Sequence, residues 1–115
     1  MPPAPMEAPN SYRITLSAPS ADALTFSKED SPAADALIGR CILFKWPVVG
    51  WCMGKIFERN KDARKTRNLA DGTRAKKNFT IYYDIDDETI ETVLRLDEYG
   101  GDEDMSWVLL ESLGA

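Results

Sequence analysis

The sequence predicts an all-β domain, a small five-stranded barrel, preceded by a disordered Pro/Ala-rich arm over residues 1–36. Three observations point there. Six of the seven prolines fall at Pro2, Pro3, Pro5, Pro9, Pro19 and Pro32, among Ala and Ser and without sustained apolar periodicity, which reads as extended chain. From Gly39 the texture changes to short runs of β-branched and aromatic residues bounded by Gly, Pro and Asp, which is how strands read. Three Trp, four Tyr and four Phe then supply a core from few positions in a domain spanning 37–111.

Taken in order, Tyr12, Ile14 and Leu16 alternate with Arg13 and Thr15, so a short strand can form there if the barrel offers an edge. Strands are expected near Arg40 to Trp46, Trp51 to Glu58, Asn78 to Ile85, Thr89 to Leu96 and Trp107 to Leu110, a number and length that suit a small barrel. Pro47, Val48, Val49 and Gly50 form the turn of the opening hairpin. Period-two alternation sends Ile42, Phe44 and Trp46 inward, then Cys52, Gly54 and Ile56, then Phe79, Ile81 and Tyr83, and then Ile90, Leu94 and Leu96. Trp107, Leu109 and Leu110 close the core. Gly54 then marks a close approach of strands. Cys41 and Cys52 leave opposite faces of the hairpin, so they are expected as free thiols. The connection 59–77 is basic and lacks apolar periodicity, and reads as a long mobile loop.

Composition excludes much. With no histidine, the chain lacks the commonest general base, the usual partner of a nucleophilic Ser or Cys and the commonest zinc ligand. Two cysteines make neither a disulfide framework nor a four-ligand zinc site. No glycine-rich phosphate loop is present, and no catalytic residue, metal or cofactor is assigned. The acidic corner Asp84, Asp86, Asp87 and Glu88 fails the calcium-loop test, because counting from Asp84 puts Thr89 at the required glycine and Arg95 at the final Glu. No apolar run approaches the ~20 residues that span a bilayer, and the start has no pattern of a secretory leader, so a soluble intracellular protein with no membrane contact is expected.

The net charge of −5 is distributed in blocks: Met1 to Gly54 holds four basic against five acidic residues, Lys55 to Lys77 nine against three, and Asp84 to Glu111 one against eleven. Such a bipolar surface can orient a charged partner, although charge runs also serve simply as solvated surface.

The order Gly39, Arg40, Ile42, Trp46, Pro47, Gly50, Trp51, Gly54, Ile56 resembles the opening hairpin of Tudor domains, the SH3-like barrels of chromatin proteins. Ile81, Tyr83, Asp84, Asp87 and Glu88 resemble that family's acidic corner, and Leu94, Leu96, Trp107 and Leu110 its closing pattern. The resemblance covers about Leu37 to Glu111, through many weak matches in the right order. Cys52 stands where the family usually has a Tyr of the ligand cage, Ile85 replaces the second acidic or aromatic residue of the corner, and Asp86 replaces its turn glycine.

The resemblance implies a non-catalytic, nuclear module that binds a histone tail or other protein peptide. Its methylated lysine or arginine would be held by aromatic faces through cation–π attraction, with an acidic neighbour. Trp46 would be the first wall and Tyr83 or Tyr82 the next, with Trp51 and Phe57 further candidates and Asp84 or Asp87 the acidic neighbour. The competing reading is that these aromatics pack the core or its rim. A first alternative function is non-specific contact with nucleic acid or the nucleosome through Lys61, Arg64, Lys65, Arg67, Arg74, Lys76 and Lys77 of the basic loop. The loop has no stacking platform for bases. A second is an adaptor barrel for unmodified peptides.

Overall fold

The computed structural model describes residues 11–113. Eight strands form: β1 (Tyr12–Ile14), β2 (Cys41–Trp46), β3 (Gly50–Arg59), β4 (Thr66–Asn68), β5 (Arg74–Lys76), β6 (Phe79–Tyr83), β7 (Glu88–Thr92) and β8 (Trp107–Ser112). Two four-residue helices, α1 (Ala21–Leu24) and α2 (Pro32–Asp35), lie between β1 and β2, and a 3-10 turn spans Leu96–Glu98. Six strands make one antiparallel sheet in the order β1-β8-β2-β3-β6-β7, and β4 pairs with β5 as a separate hairpin. Among the described residues no helix is long and apolar enough to cross a membrane.

All five expected strands are present, but they do not close a barrel. The last strand, β8, pairs with β2, as closure needs, yet β7 and β8 are not neighbours. The chain leaves the ladder after Thr92 because Asn78 captures Leu94: its Oδ1 accepts from the Leu94 amide at 2.9 Å and its Nδ2 donates to the Leu94 carbonyl at 3.0 Å. The other edge of β8 is taken by β1, a sixth strand, with Ile14 opposite Leu110.

The alternation fixes the core. Ile42, Phe44, Ile56, Phe79, Ile81, Tyr83, Leu94, Trp107 and Leu109 are buried together, with Trp46, Cys52 and Ile90 partly buried against them. Gly54 is required in this face: a Cβ there would stand 2.7 Å from Ile81 Cγ2 and 2.9 Å from Tyr83 Cε1, closer than side chains tolerate. Two expectations fail. Leu96 is exposed, because the chain has already turned into the 3-10 segment, and Leu110 faces away. With Leu43 and Val108 it forms a second cluster on the opposite face, covered by Tyr12, Ile14, Trp51, Met53 and Tyr99. Cys41 packs in this second cluster and Cys52 against the first, so the two thiols are free.

The arm 1–36 also differs from expectation. Residues 1–10 lie outside the described residues, but 11–36 carry β1 and two capped helices. Ser20 and Ser31 accept from the amides of Ala23 and Ala34, and Pro32 sits in the first turn of α2, where its missing N–H costs nothing. Ala23, Leu24 and Ala34 join the main core. Asn78 Nδ2 also donates to the Leu24 carbonyl at 2.7 Å, and Arg59 Nη2 donates to the carbonyls of Ser27 and Glu29 at 2.7 and 3.0 Å. Buried alanines carry little of the apolar signal on which periodicity depends, so composition reads this segment as loose chain.

The connection 59–77 is a hairpin and not a structureless loop. Thr66 pairs with Lys76 and Asn68 with Arg74, across a turn in which Gly72 adopts φ +89° and the Asp71 carboxylate accepts from the Thr73 amide and hydroxyl. Arg67 ties the hairpin to the 3-10 turn through two bonds to Glu98, at 2.7 and 2.8 Å.

Candidate binding site

The β2–β3 and β6–β7 turns project from the same end of the sheet, because β6 runs antiparallel to β3 and delivers Tyr83 toward the Gly50 end. At the β2–β3 tip the Val49 amide donates to the Pro47 carbonyl at 2.7 Å, a three-residue turn centred on Val48 with φ +69°. A β-branched residue rarely accepts that backbone conformation. Val48 and Val49 stand in solvent, as does Ile85 on the neighbouring tip. The β6–β7 turn carries Asp84, Asp86 and Asp87, and Asp87 takes φ +55°, which a short carboxylate side chain tolerates.

Between the tips, Trp46 and Tyr83 meet edge to face with ring centroids 6.1 Å apart and planes at 63°. Trp46 also leans on Phe44, at 4.7 Å. Trp46 is half-buried, whereas Tyr83 is 3% exposed and its hydroxyl is buried without a hydrogen-bond partner. Burial pushes the Tyr83 phenol well above its usual range, and the Asp86 charge acts in the same direction. Burial likewise raises the Cys52 thiol, and Asp86 adds to the rise. Cys52 is therefore a thiol, and Asp86 is the carboxylate that acts on this patch.

Of the expected cage aromatics, the fold brings only Trp46 and Tyr83 together. Trp51 and Tyr82 occupy the opposite face: Trp51 covers the second cluster, and Tyr82 lines a cleft with Tyr12, Cys41, Met53 and Asp84. The Tyr82 hydroxyl donates to Asp87 at 2.6 Å, and that bond raises its pKa to about 12. Asp84 and Asp87 thus serve the Tyr82 face, and Asp86, on the same turn, is the carboxylate whose charge raises Tyr83 and Cys52. The alternation that turns Cys52 and Tyr83 inward carries the signal for Trp51 and Tyr82, since each is one residue away and must face outward. For Asp86 the sequence has no comparable signal, because a turn obeys no period.

The basic set divides as well. Arg67 is spent on Glu98, the pair being 16% and 23% exposed, and Arg64 forks its own Asp62 carboxylate at 3.0 and 3.1 Å. That fork, with the Arg64 amide, holds the Asp62 carboxyl down to about 2. Lys61, Lys65, Arg74 and Lys76 are exposed, and Lys77 is half-buried. The Lys77 amide donates to the Lys65 carbonyl at 2.8 Å, which sets those two residues side by side. Lys76 Nζ stands 5.3 Å over the Phe26 ring. Arg74 and Lys76 rim an open groove of about 880 Å³ floored by Leu24, Phe26, Val93 and Leu96.

Among the described residues no three His, Cys, Asp or Glu side chains are grouped to hold a metal ion. The arrangement offers a half-buried Trp46 packed on the buried Tyr83, beside the acidic β6–β7 turn, and an ordered basic hairpin whose Thr66 and Arg67 line a cavity with Trp46. Compared with known proteins, the chain matches no family model, no curated sequence and no solved structure.

Proposed function

We propose that this domain is a non-catalytic binding module, a variant of the Tudor-type SH3-like barrel. In this reading it takes a basic protein tail, such as a histone tail bearing a methylated lysine, at the Trp46 end. The meander β2-β3-β6-β7 with β8 returning to β2 supports the fold assignment. The observation that carries the function is the half-buried Trp46 ring, set edge to face on Tyr83 beside the acidic β6–β7 turn. A methylammonium against an aromatic face gains roughly 0.5–2 kcal/mol per good ring contact, so the one accessible ring of Trp46, backed by the buried Tyr83, supports weak binding, with the acidic turn adding attraction. A nuclear setting follows from such a ligand.

Calorimetric titration of trimethyl-lysine and unmodified histone-tail peptides tests this. The methylated peptide should bind more tightly, and Trp46→Ala should remove the difference while the domain stays folded. Asp86→Asn should weaken binding less. No heat from a panel of methylated lysine and arginine peptides rejects the reading.

Contact with nucleic acid is a second reading, favoured by the ordered hairpin that sets Lys65 beside Lys77 and carries Arg74 and Lys76 in solvent. Affinity should then fall steeply with salt regardless of base sequence. Replacing Lys65, Arg74, Lys76 and Lys77 with Ala should abolish it, whereas binding that survives both treatments rejects it.

A further inference from the structure

The outer edge of β5 is open. The Leu69 amide donates to the Thr73 carbonyl and the Lys77 amide to the Lys65 carbonyl, both at 2.8 Å, which fixes the phase of the β4–β5 ladder. Bonded pairs recur at every second position of an antiparallel ladder, so Arg67 and Ala75 face each other as the bonded pair between these two. Arg74 and Lys76 therefore turn their N–H and C=O groups away from β4. No strand pairs with that edge, and among the described residues none of these four groups has a backbone partner. Both residues are exposed.

That edge borders the open groove of about 880 Å³. Arg74, Ala75 and Lys76 all line it, although alternate residues of a strand point to opposite faces, and no residue of β4 does. The groove therefore runs along the edge of β5 and not over one of its faces. Val93 to Asp97 lines it as another continuous stretch of chain, and Leu24 and Phe26 complete an apolar floor. A cleft beside an unpaired strand edge has the shape of a missing strand.

Charge identifies what kind of strand. Arg74, Lys76 and Arg95 stand against one lining carboxylate, Asp97, and Arg95 already holds it at 2.9 Å. Among the described residues neither Arg74 nor Lys76 has a carboxylate within ion-pair distance, so the groove carries two uncompensated cations, two residues apart. Partners directly opposite them in a ladder share their face, and opposite charges there attract. Between them, the small Ala75 leaves room for an apolar side chain.

We propose that the groove takes an extended acidic segment of a partner protein, in which acidic and aliphatic residues alternate, and that this segment pairs with β5 as a third strand of the hairpin sheet. Its backbone bonds to Arg74 and Lys76, and its carboxylates answer their side chains. Trp46 takes no part, so the site is independent of tail binding at the β2–β3 end.

Amide-detected NMR titration of the full chain with acetyl-Glu-Val-Glu-Val-Glu-amide tests the proposal. The peptide should shift the amides of Arg74 to Lys76 and Val93 to Asp97, and its backbone protons should show intermolecular NOEs to the Arg74 and Lys76 amides. The Gln-Val-Gln-Val-Gln analogue should lose most of the affinity, and the acidic peptide methylated at every backbone nitrogen should not bind. Arg74→Glu combined with Lys76→Glu should abolish binding. Lys76→Ala and Lys76→Pro both remove the cation, but Pro also removes an outward N–H that β4 does not use. Lys76→Pro should therefore bind roughly two- to tenfold more weakly than Lys76→Ala, the loss of one hydrogen bond. If Lys76→Pro does not fold, the methylated peptide and the charge reversal still decide the matter. Unchanged affinity of the methylated peptide, NOEs elsewhere, or binding that survives charge reversal overturns the proposal. Tighter binding of a thymidine oligonucleotide at the same amides overturns it in favour of a phosphate backbone. Self-association that charge reversal abolishes overturns it in favour of a second copy of this chain.

Discussion

Two regions lack apolar periodicity, 17–37 and the connection 59–77, and both are ordered, by different means. The first is held from inside: Ala23, Leu24, Ala34 and Leu37 enter the core, and Asn78 and Arg59 grip its backbone carbonyls. The second is held from outside, by its own short ladder and by one partly buried ion pair to Glu98. Side-chain bonds to backbone fix a segment whose residues are too small to fix themselves, while an ion pair docks a piece that already has its own hydrogen bonds. The first kind of order belongs to the global fold; the second can open locally.

Deleting 11–36 breaks this contrast most severely. It strips apolar side chains from the core, of which Leu24 alone is worth roughly 2–5 kcal/mol, and should abolish the cooperative denaturant transition. Retention of a transition at the wild-type midpoint would show that the inner anchoring is dispensable. Asn78→Ala should come next. It orphans the Leu24 carbonyl and both backbone groups of Leu94, at about 1–3 kcal/mol for each group left buried, and should lower the chemical-denaturation midpoint markedly.

Glu98→Ala, which leaves the Arg67 guanidinium without its carboxylate, should cost about 1.5–3 kcal/mol. Its effect should appear first as faster amide exchange at Thr66 to Lys76. Equal acceleration across β2 and β3 would mean that the hairpin is part of the global unit. The smallest effect concerns Asp62, whose carboxyl is lowered from 3.8 to about 2 by Arg64. A depressed acid stabilises the folded form above its unfolded value, and that contribution disappears as pH falls from about 4 toward 2. Local exchange around Asn60 to Lys65 should rise through that window, and Asp62→Asn should remove the pH dependence.

The main ladder was legible because it obeys a period. The five strands, the inward faces of Ile42, Phe44, Ile56, Phe79 and Ile81, the demand for glycine at Gly54 and the divergence of the two thiols all follow from alternation along single strands. What was illegible is non-local or aperiodic. Asn78 looks like an ordinary turn residue until Leu24 and Leu94 arrive beside it, and Met105 meets Trp46 only because β8 returns to β2. The failure of β7 to reach β8 depends on where Leu94 leaves the ladder, which alternation does not encode. Trp51 and Tyr82 are a different case, since the face assignment already separated them from Trp46 and Tyr83 and only the family resemblance drew them together.

The three tryptophans sit in three distinct settings, which makes the chain its own optical reporter. Trp107 is fully buried, its indole N–H donating to the Arg95 carbonyl at 2.8 Å and its ring set edge to face on Tyr99. Trp46 and Trp51 are half-buried on opposite faces. Unfolding must move the Trp107 emission from an apolar to an aqueous environment. A ligand entering beside Trp46 leaves Trp107 dark to the event and changes the quenching of a single indole. With Trp51 replaced by Phe, intrinsic fluorescence would separate binding from folding in one spectrum, without any added dye.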